Sequence, residues 1–187
     1  MTALPRTPRT TPYRKADRVS HDRAAINAVL DEALVVQVGF VDDGLPVVIP
    51  LNAWRVDDHL YFHLAAKGRL TEVMAAGAPL CVSATLVDGL VLARSAMHHS
   101  MNFRSVMLYG AAEAVTGAAE KARVLAALVD HVVPGRAALV RPADDKELAV
   151  TAVFRLAIAE GSLKARSGPP ADRPADLARD VPAGVVP

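Results

Sequence analysis

The chain has 187 residues, 52% of them hydrophobic, which is enough for one full core in a single domain. Its 21 basic and 20 acidic residues leave a formal charge of +1, and aromatics make up only 4%, which argues against nucleic acid or a membrane surface as a partner. No apolar run reaches the length of a membrane span. Residues 1–18, "MTALPRTPRTTPYRKADR", are expected to form an extended N-terminal arm. The arm is basic but has no apolar signal core, so the expected location is cytoplasmic. "SHDRAAINAVLDEA" follows as a helix, with Ser20 placed to cap it and Ile26, Val29, Leu30 and Ala33 on one face. "LVVQVGFV" is a strand that ends at the turn Asp42-Asp43-Gly44. "LPVVIPLNAW" resumes as a strand, where Pro46 and Pro50 suit an edge or a ligand-facing rim.

Beyond a turn at Asp57-Asp58, "HLYFHL" is the next strand and "KGRLTEVMAAG" a short helix stopped by Gly77 and Pro79. "LCVSATLV", Asp88-Gly89 and "LVLARSA" are expected to form a hairpin. This run holds the one cysteine, Cys81, which cannot close an internal disulfide and is read as a small buried hydrophobe in a reducing compartment. "HHSMNFRSVMLYG" opens a strand running to about Val115. "AAEKARVLAALVDHVVPG" is an amphipathic helix, "RPADDKELAV" a helical turn and "TAVFRLAIAE" a last strand. A tail rich in Pro, Asp and Arg is expected from Gly161. About seven short strands joined mostly by tight turns favour an antiparallel barrel with peripheral helices over a doubly wound parallel sheet.

Some polar residues invite a chemical reading. Lys67 and Arg69 stand where a strand enters a helix, on the unfavourable end of the helix dipole. A bound phosphate would reverse that cost; solvated surface cations are the alternative. In "MNFRSVMLYG", strand alternation puts Phe103, Ser105, Met107 and Tyr109 on one face and Asn102, Arg104, Val106 and Leu108 on the other. Arg104 thus enters an otherwise apolar face, where it either pairs with a carboxylate or meets a polar ligand. Ser105 is a lone polar group on a half-apolar surface. His59 and His63 share a strand face with Tyr61, but two histidines without HExxH or CxxC do not specify a metal site. His63 is the one of interest, at the strand end before the Lys67 loop, and a weak catalytic candidate. Neither a phosphate-loop motif nor a GxSxG elbow is present.

"RSVMLYG" and "YFHLAAKGRL" resemble the strand and the phosphate loop of pyridoxamine 5′-phosphate oxidase-like proteins. "GLPVVIPL", "GLVLARSAMHHSMNFRSV" and "GSLKARSGPPAD" resemble more closely the flavin-nucleotide-binding branch that includes the 5-nitroimidazole-resistance (Nim) proteins. This resemblance covers roughly residues 18–187. It implies a mainly β, antiparallel split β-barrel, with residues 19–160 as the FMN-binding domain and residues 161–187 as a tail packing on the barrel or the dimer partner. It implies a homodimer with FMN at the subunit interface, and a small-molecule oxidoreductase working through that flavin. Lys67 and Arg69 would hold the phosphate. Val48, Ile49, Pro50, Leu51 and Asn52 would line the ring, and Ser105 would reach it from the partner subunit with Asn102 and Arg104 close by. His63 would lie at the substrate side or near the phosphate. The sequence departs from the pattern at Pro182, where the branch often has tryptophan, which leaves a second reading: a non-catalytic storage protein that binds flavin weakly, or haem or F420 instead.

Overall fold

The computed structural model describes residues 3–187. Eleven strands form two antiparallel sheets. The first holds β1 (Val19–Ser20), β2 (Val36–Asp42), β3 (Leu45–Leu51), β6 (Pro79–Leu92), β7 (Ser100–Ala111), β10 (Gly161–Arg166) and β11 (Gly184–Val186). Its order is β1-β10-β7-β6-β2-β3, with β11 also on β6. The second holds β4 (Ala53–Val56), β5 (His59–Ala65), β8 (Glu113–Ala114) and β9 (Thr151–Ala157), in the order β4-β5-β9-β8. The sheets meet across a shared core without closing on each other, and the fold is a split β-barrel. Four helices accompany them: α1 (Arg23–Glu32), α2 (Arg69–Ala75), α3 (Ala118–Val132) and α4 (Asp145–Val150).

Local chemistry explains much of this. The face of α1 expected from its period is the buried one: Ile26, Val29, Leu30 and Ala33 join Val38, Leu60, Phe62, Leu108 and Leu156 in the core. The cap is one turn boundary later than expected. Asp22, not Ser20, accepts from the backbone N–H of Ala25 at 2.8 Å, and the Ser20 hydroxyl accepts from the Asp22 N–H. Asp43 and Gly44 both have positive φ, 49° and 76°, the pair a two-residue hairpin turn requires between β2 and β3. β3 is an edge strand, which is why Pro46 and Pro50 are tolerated in it.

Three further expectations are corrected. Asp88-Gly89 is no hairpin turn. β6 runs straight through it and stays paired with β7 on both sides, with the register shifting between Val87 and Gly89. Asp88 is the extra residue of a β-bulge, and β6 is one long strand where two short ones and a turn were expected. Gly89 has φ 155°, and a Cβ there would meet Val185 Cγ1 and the Val186 carbonyl oxygen at 2.9 Å. Gly161 does not begin a tail, because β10 lies between β1 and β7 and extends the barrel to Arg166. The remaining chain returns to pair Gly184–Val186 with β6. Cys81 is only half-buried, on the outer face of β6, and is not a core residue. Of the N-terminal arm, residues 1 and 2 lie outside the described residues; the rest is held on the barrel by buried Leu4 and Thr10.

Candidate functional site

The residues proposed for a flavin fall in three places. On β3, Val48 and Pro50 project outward and are exposed, while Ile49 and Leu51 turn inward and pack against the core. Asn52 leaves that strand and donates its amide to the Leu34 carbonyl at 2.9 Å, so its side chain anchors the turn from β3 into the second sheet. The loop between β5 and α2 is closed by the Thr71 hydroxyl, which donates to the Ala65 carbonyl at 2.8 Å. Lys67 stands on it, exposed and with no ion pair among the described residues. Arg69 faces Asp42 at 3.2 Å and is 64% exposed. No side chain caps the start of α2. The loop therefore offers two exposed cations, one of them paired with a carboxylate.

On β7 the alternation is as expected, with Val106 and Leu108 inside and Met107 outside. Arg104 has its carboxylate partners within the chain. It donates to both oxygens of Glu32 at 2.7 and 3.0 Å and to Asp88 at 2.6 Å. These contacts hold both carboxyls below the ordinary carboxylate range and push the guanidinium further up. Asn102 is buried and accepts from the guanidinium of Arg166, which also donates to the Gly168 and Pro169 carbonyls. The Ser105 hydroxyl donates to the Lys164 carbonyl at 3.2 Å and lies on the outer face beside Met107. Asn102 and Arg104 are thus tied into the chain's own scaffold, and Ser105 is the residue of the three that looks outward.

His63 lies elsewhere. It shares the expected face of β5 with Tyr61 and His59, and the rings of Trp54, Tyr61 and His63 lie in contact, with centroids 6.1 and 6.0 Å from that of Trp54. A cavity of about 270 Å³ opens beside His63. Its main wall is the α3 face Ala122, Leu125, Ala126 and Val129, and Ala137, Arg141, Pro142, Ala143 and Thr151 also line it. His63 Nδ1 is buried with no hydrogen-bond partner, and so is Trp54 Nε1. Burial pushes the His63 pKa down, which keeps the imidazole neutral at pH 7. A neutral, unpartnered imidazole facing an apolar cavity is able to ligate a metal centre. Strand alternation put His63 on one face with His59 and Tyr61, but the cavity beside it was not expected. The available signal was in α3, whose residues 122, 125, 126 and 129 form an apolar stripe at helical spacing beyond the stripe that buries Val124.

The architecture and these placements define a split-barrel protein. The family profile described as pyridoxamine 5′-phosphate oxidase matches residues 22–165, and the chain belongs to that family. Among solved structures, it is similar to the flavocytochrome Anf3 from Azotobacter vinelandii. The identity is 40% over 97% of this chain and 84% of that one, with a TM-score of 0.88. It is also similar to the FAD and heme binding protein from Mycobacterium smegmatis, at 38% identity over 91% of this chain and 83% of that one, with a TM-score of 0.85. A candidate 5-nitroimidazole antibiotic resistance protein from Bacteroides thetaiotaomicron shares the fold at 24% identity over 78% and 85% of the two chains, with a TM-score of 0.67. No curated protein sequence matches this chain. Among the described residues, no helix is long and apolar enough to cross a membrane.

Proposed function

We propose that this chain is a flavin-dependent redox protein that also carries a haem, with His63 as the haem's protein ligand. The observation that carries the reading is the His63 cavity. It joins a neutral imidazole with a buried, unpartnered nitrogen to mainly apolar walls. That donor set fits haem, whose iron takes a histidine ligand and whose ring requires apolar surroundings. Support comes from the two similar structures at 40% and 38% identity, a flavocytochrome and an FAD and heme binding protein. Flavin and haem supply hydride-to-one-electron chemistry when bound, and the chain supplies binding, orientation and exclusion of water.

On the flavin side, Lys67 and Arg69 would receive the phosphate that FMN and FAD both carry. The outward face of Val48 and Pro50 would lie against the ring, with Ser105 of a second copy opposite. That arrangement calls for a homodimer. The outer face of the first sheet favours one: Val41, Val48, Val87 and Met107 are all exposed on it, apolar side chains that a second copy would cover. The single free Cys81 suits a cytoplasmic setting. The storage reading is less favoured, because a mere reservoir needs only one cofactor. The test is an absorption spectrum of the purified protein. It should combine flavin bands with a Soret band, and His63→Ala should lose the Soret band while keeping the flavin. A protein supplied with haem that shows no Soret band would refute the haem assignment. One that binds neither FMN nor FAD would refute the flavin assignment.

A further inference from the structure

The His63 cavity has one charged wall. Arg141 stands on the segment between α3 and α4 and lines the cavity there, next to Pro142 and Ala143. His63 is neutral and most of the other lining residues are apolar, so among the described residues Arg141 brings the one full charge to the cavity. Thr151 is the other polar side chain in the lining, and its hydroxyl is already committed, donating to the Glu147 carbonyl at 2.8 Å. A cation in such a lining is either held by its own neighbours or meets an anion carried by the ligand.

The guanidinium is built to do both. Glu147 takes one of its edges with two bonds: Nη1 donates to Oε2 at 3.0 Å and Nη2 to Oε1 at 2.8 Å. Nη1 also donates to the Pro142 carbonyl at 2.8 Å. Glu147 is itself fixed, because it accepts from the Asp144 N–H at 2.8 Å while the Asp144 carboxylate accepts from the Glu147 N–H at 2.9 Å. These contacts use both protons of Nη1 and one of Nη2. The Nε–H and the second Nη2–H remain, side by side on the other edge of the fork, and neither has a partner among the described residues. Two parallel N–H groups of this kind match a carboxylate. The grip of Glu147 orients the fork in advance, so little freedom is lost when a second carboxylate arrives.

We infer that Arg141 receives a carboxylate of the bound porphyrin and so sets which edge of the ring faces the cavity mouth. Ligation by His63 would fix the iron at the ring's centre and leave the ring free to turn about that bond. A charged contact at Arg141 removes the freedom. The two carboxylates of haem lie on one edge of the ring, so the hydrocarbon edge is left to the apolar walls, where burial costs no unpaired charge. This inference rests on the haem reading of the cavity and adds the residue that discriminates among porphyrins.

The experiment uses hemin and its dimethyl ester, which has the same iron and ring and no carboxylate charge. Each is titrated into the full-length apoprotein and followed by Soret absorbance. The readout is the ratio of the two affinities in each protein, which cancels the difference in hydrophobicity between the probes. Arg141→Leu should lower hemin affinity about tenfold and leave the ester nearly unchanged; the loss is at the low end for a charge-assisted contact, because the side chain is mostly exposed and Glu147 competes for it. Arg141→Gln removes the charge and keeps a polar side chain, and should shift the ratio in the same direction, so the result does not depend on how the leucine variant folds. Undiminished binding of the ester shows that the pocket is intact. Arg136→Leu removes an exposed arginine from the same segment that does not line the cavity, and should match the wild type. An unchanged ratio in Arg141→Gln, or an equal shift in Arg136→Leu, would overturn the assignment to Arg141 while the Soret band upholds the haem reading. A wild-type protein that gives no Soret band with either probe would refute the haem reading itself, and this inference with it.

Discussion

The proposed phosphate site gives the sharpest test, because Arg69 already has a weak partner. Its guanidinium faces Asp42 at 3.2 Å, with the arginine side chain 64% and the aspartate 29% exposed. A flavin phosphate that recruits Arg69 must compete with that carboxylate. The gross contribution of a charge-assisted hydrogen bond is about 1.5–3 kcal/mol. Loosening an exposed ion pair offsets about 0.2–1 kcal/mol of it. The net is about 0.5–2.8 kcal/mol, or roughly a 2- to 110-fold loss of FMN affinity in Arg69→Ala. Riboflavin has the same ring and no phosphate, so its binding should hardly change.

Asp42→Ala gives the opposite sign. It frees Arg69 and removes a negative charge beside the incoming phosphate, so FMN should bind a few-fold more tightly and riboflavin equally well. Fluorescence-quenching titrations of both flavins against the three proteins supply the six affinities needed. Equal affinity of the wild type for FMN and riboflavin, or weaker FMN binding in Asp42→Ala, would show that the loop is not a phosphate cradle.

Other outcomes follow from the same geometry. Burial holds the His63 pKa below its ordinary value, so the unfolded chain binds that proton more readily. This group's contribution to apoprotein stability should therefore fall as the pH drops below about 6.5, and His63→Phe should flatten that part of a melting-temperature profile. Glu32 and Asp88 are held low by Arg104, so their contribution is present above the ordinary carboxylate range and lost as the pH falls through it. Arg104→Met should be less stable than wild type at pH 6 to 7, with the gap closing below about pH 4 in urea titrations. Gly161→Ala would push a Cβ to 2.7 Å from the Met107 carbonyl oxygen, and should cost about 1–3 kcal/mol in urea unfolding. Gly110→Ala meets the movable end of Leu156 at 2.8 Å and should cost less. Light scattering at micromolar concentration should report a dimer; a monomer would leave the apolar outer face unexplained.

Local patterns made part of this legible in the sequence. The buried face of α1 follows from the spacing of Ile26, Val29, Leu30 and Ala33, and the shared face of His59, Tyr61 and His63 from strand alternation. What stayed hidden depends on distant partners. Asp88-Gly89 has the composition of a hairpin turn, and only the pairing of Val87 with Phe103 and of Gly89 with Asn102 makes it a bulge. "GSLKAR" alternates like a strand, with Leu163 inward and Lys164 outward, but the prolines that follow give its surroundings the composition of a tail. The His63 cavity joins β5 to a helix some sixty residues later, and no local signal places those two faces together.

Arg104 shows how the structural and the functional roles of one strand divide. Glu32 ends α1, where the helix dipole disfavours a carboxylate, and Asp88 is the extra residue of the β6 bulge. Each would be an awkward charge by itself. The guanidinium between them offsets both, and in doing so ties the end of the core helix to the middle of the longest strand pair. A strand anchored through Arg104 has its register fixed, since a slip of one residue would bring Arg104 to the other face. The same anchoring obliges Ser105, Met107 and Tyr109 to face outward, where the proposed partner subunit would meet Ser105. The arginine therefore serves the proposed site without having to touch a ligand.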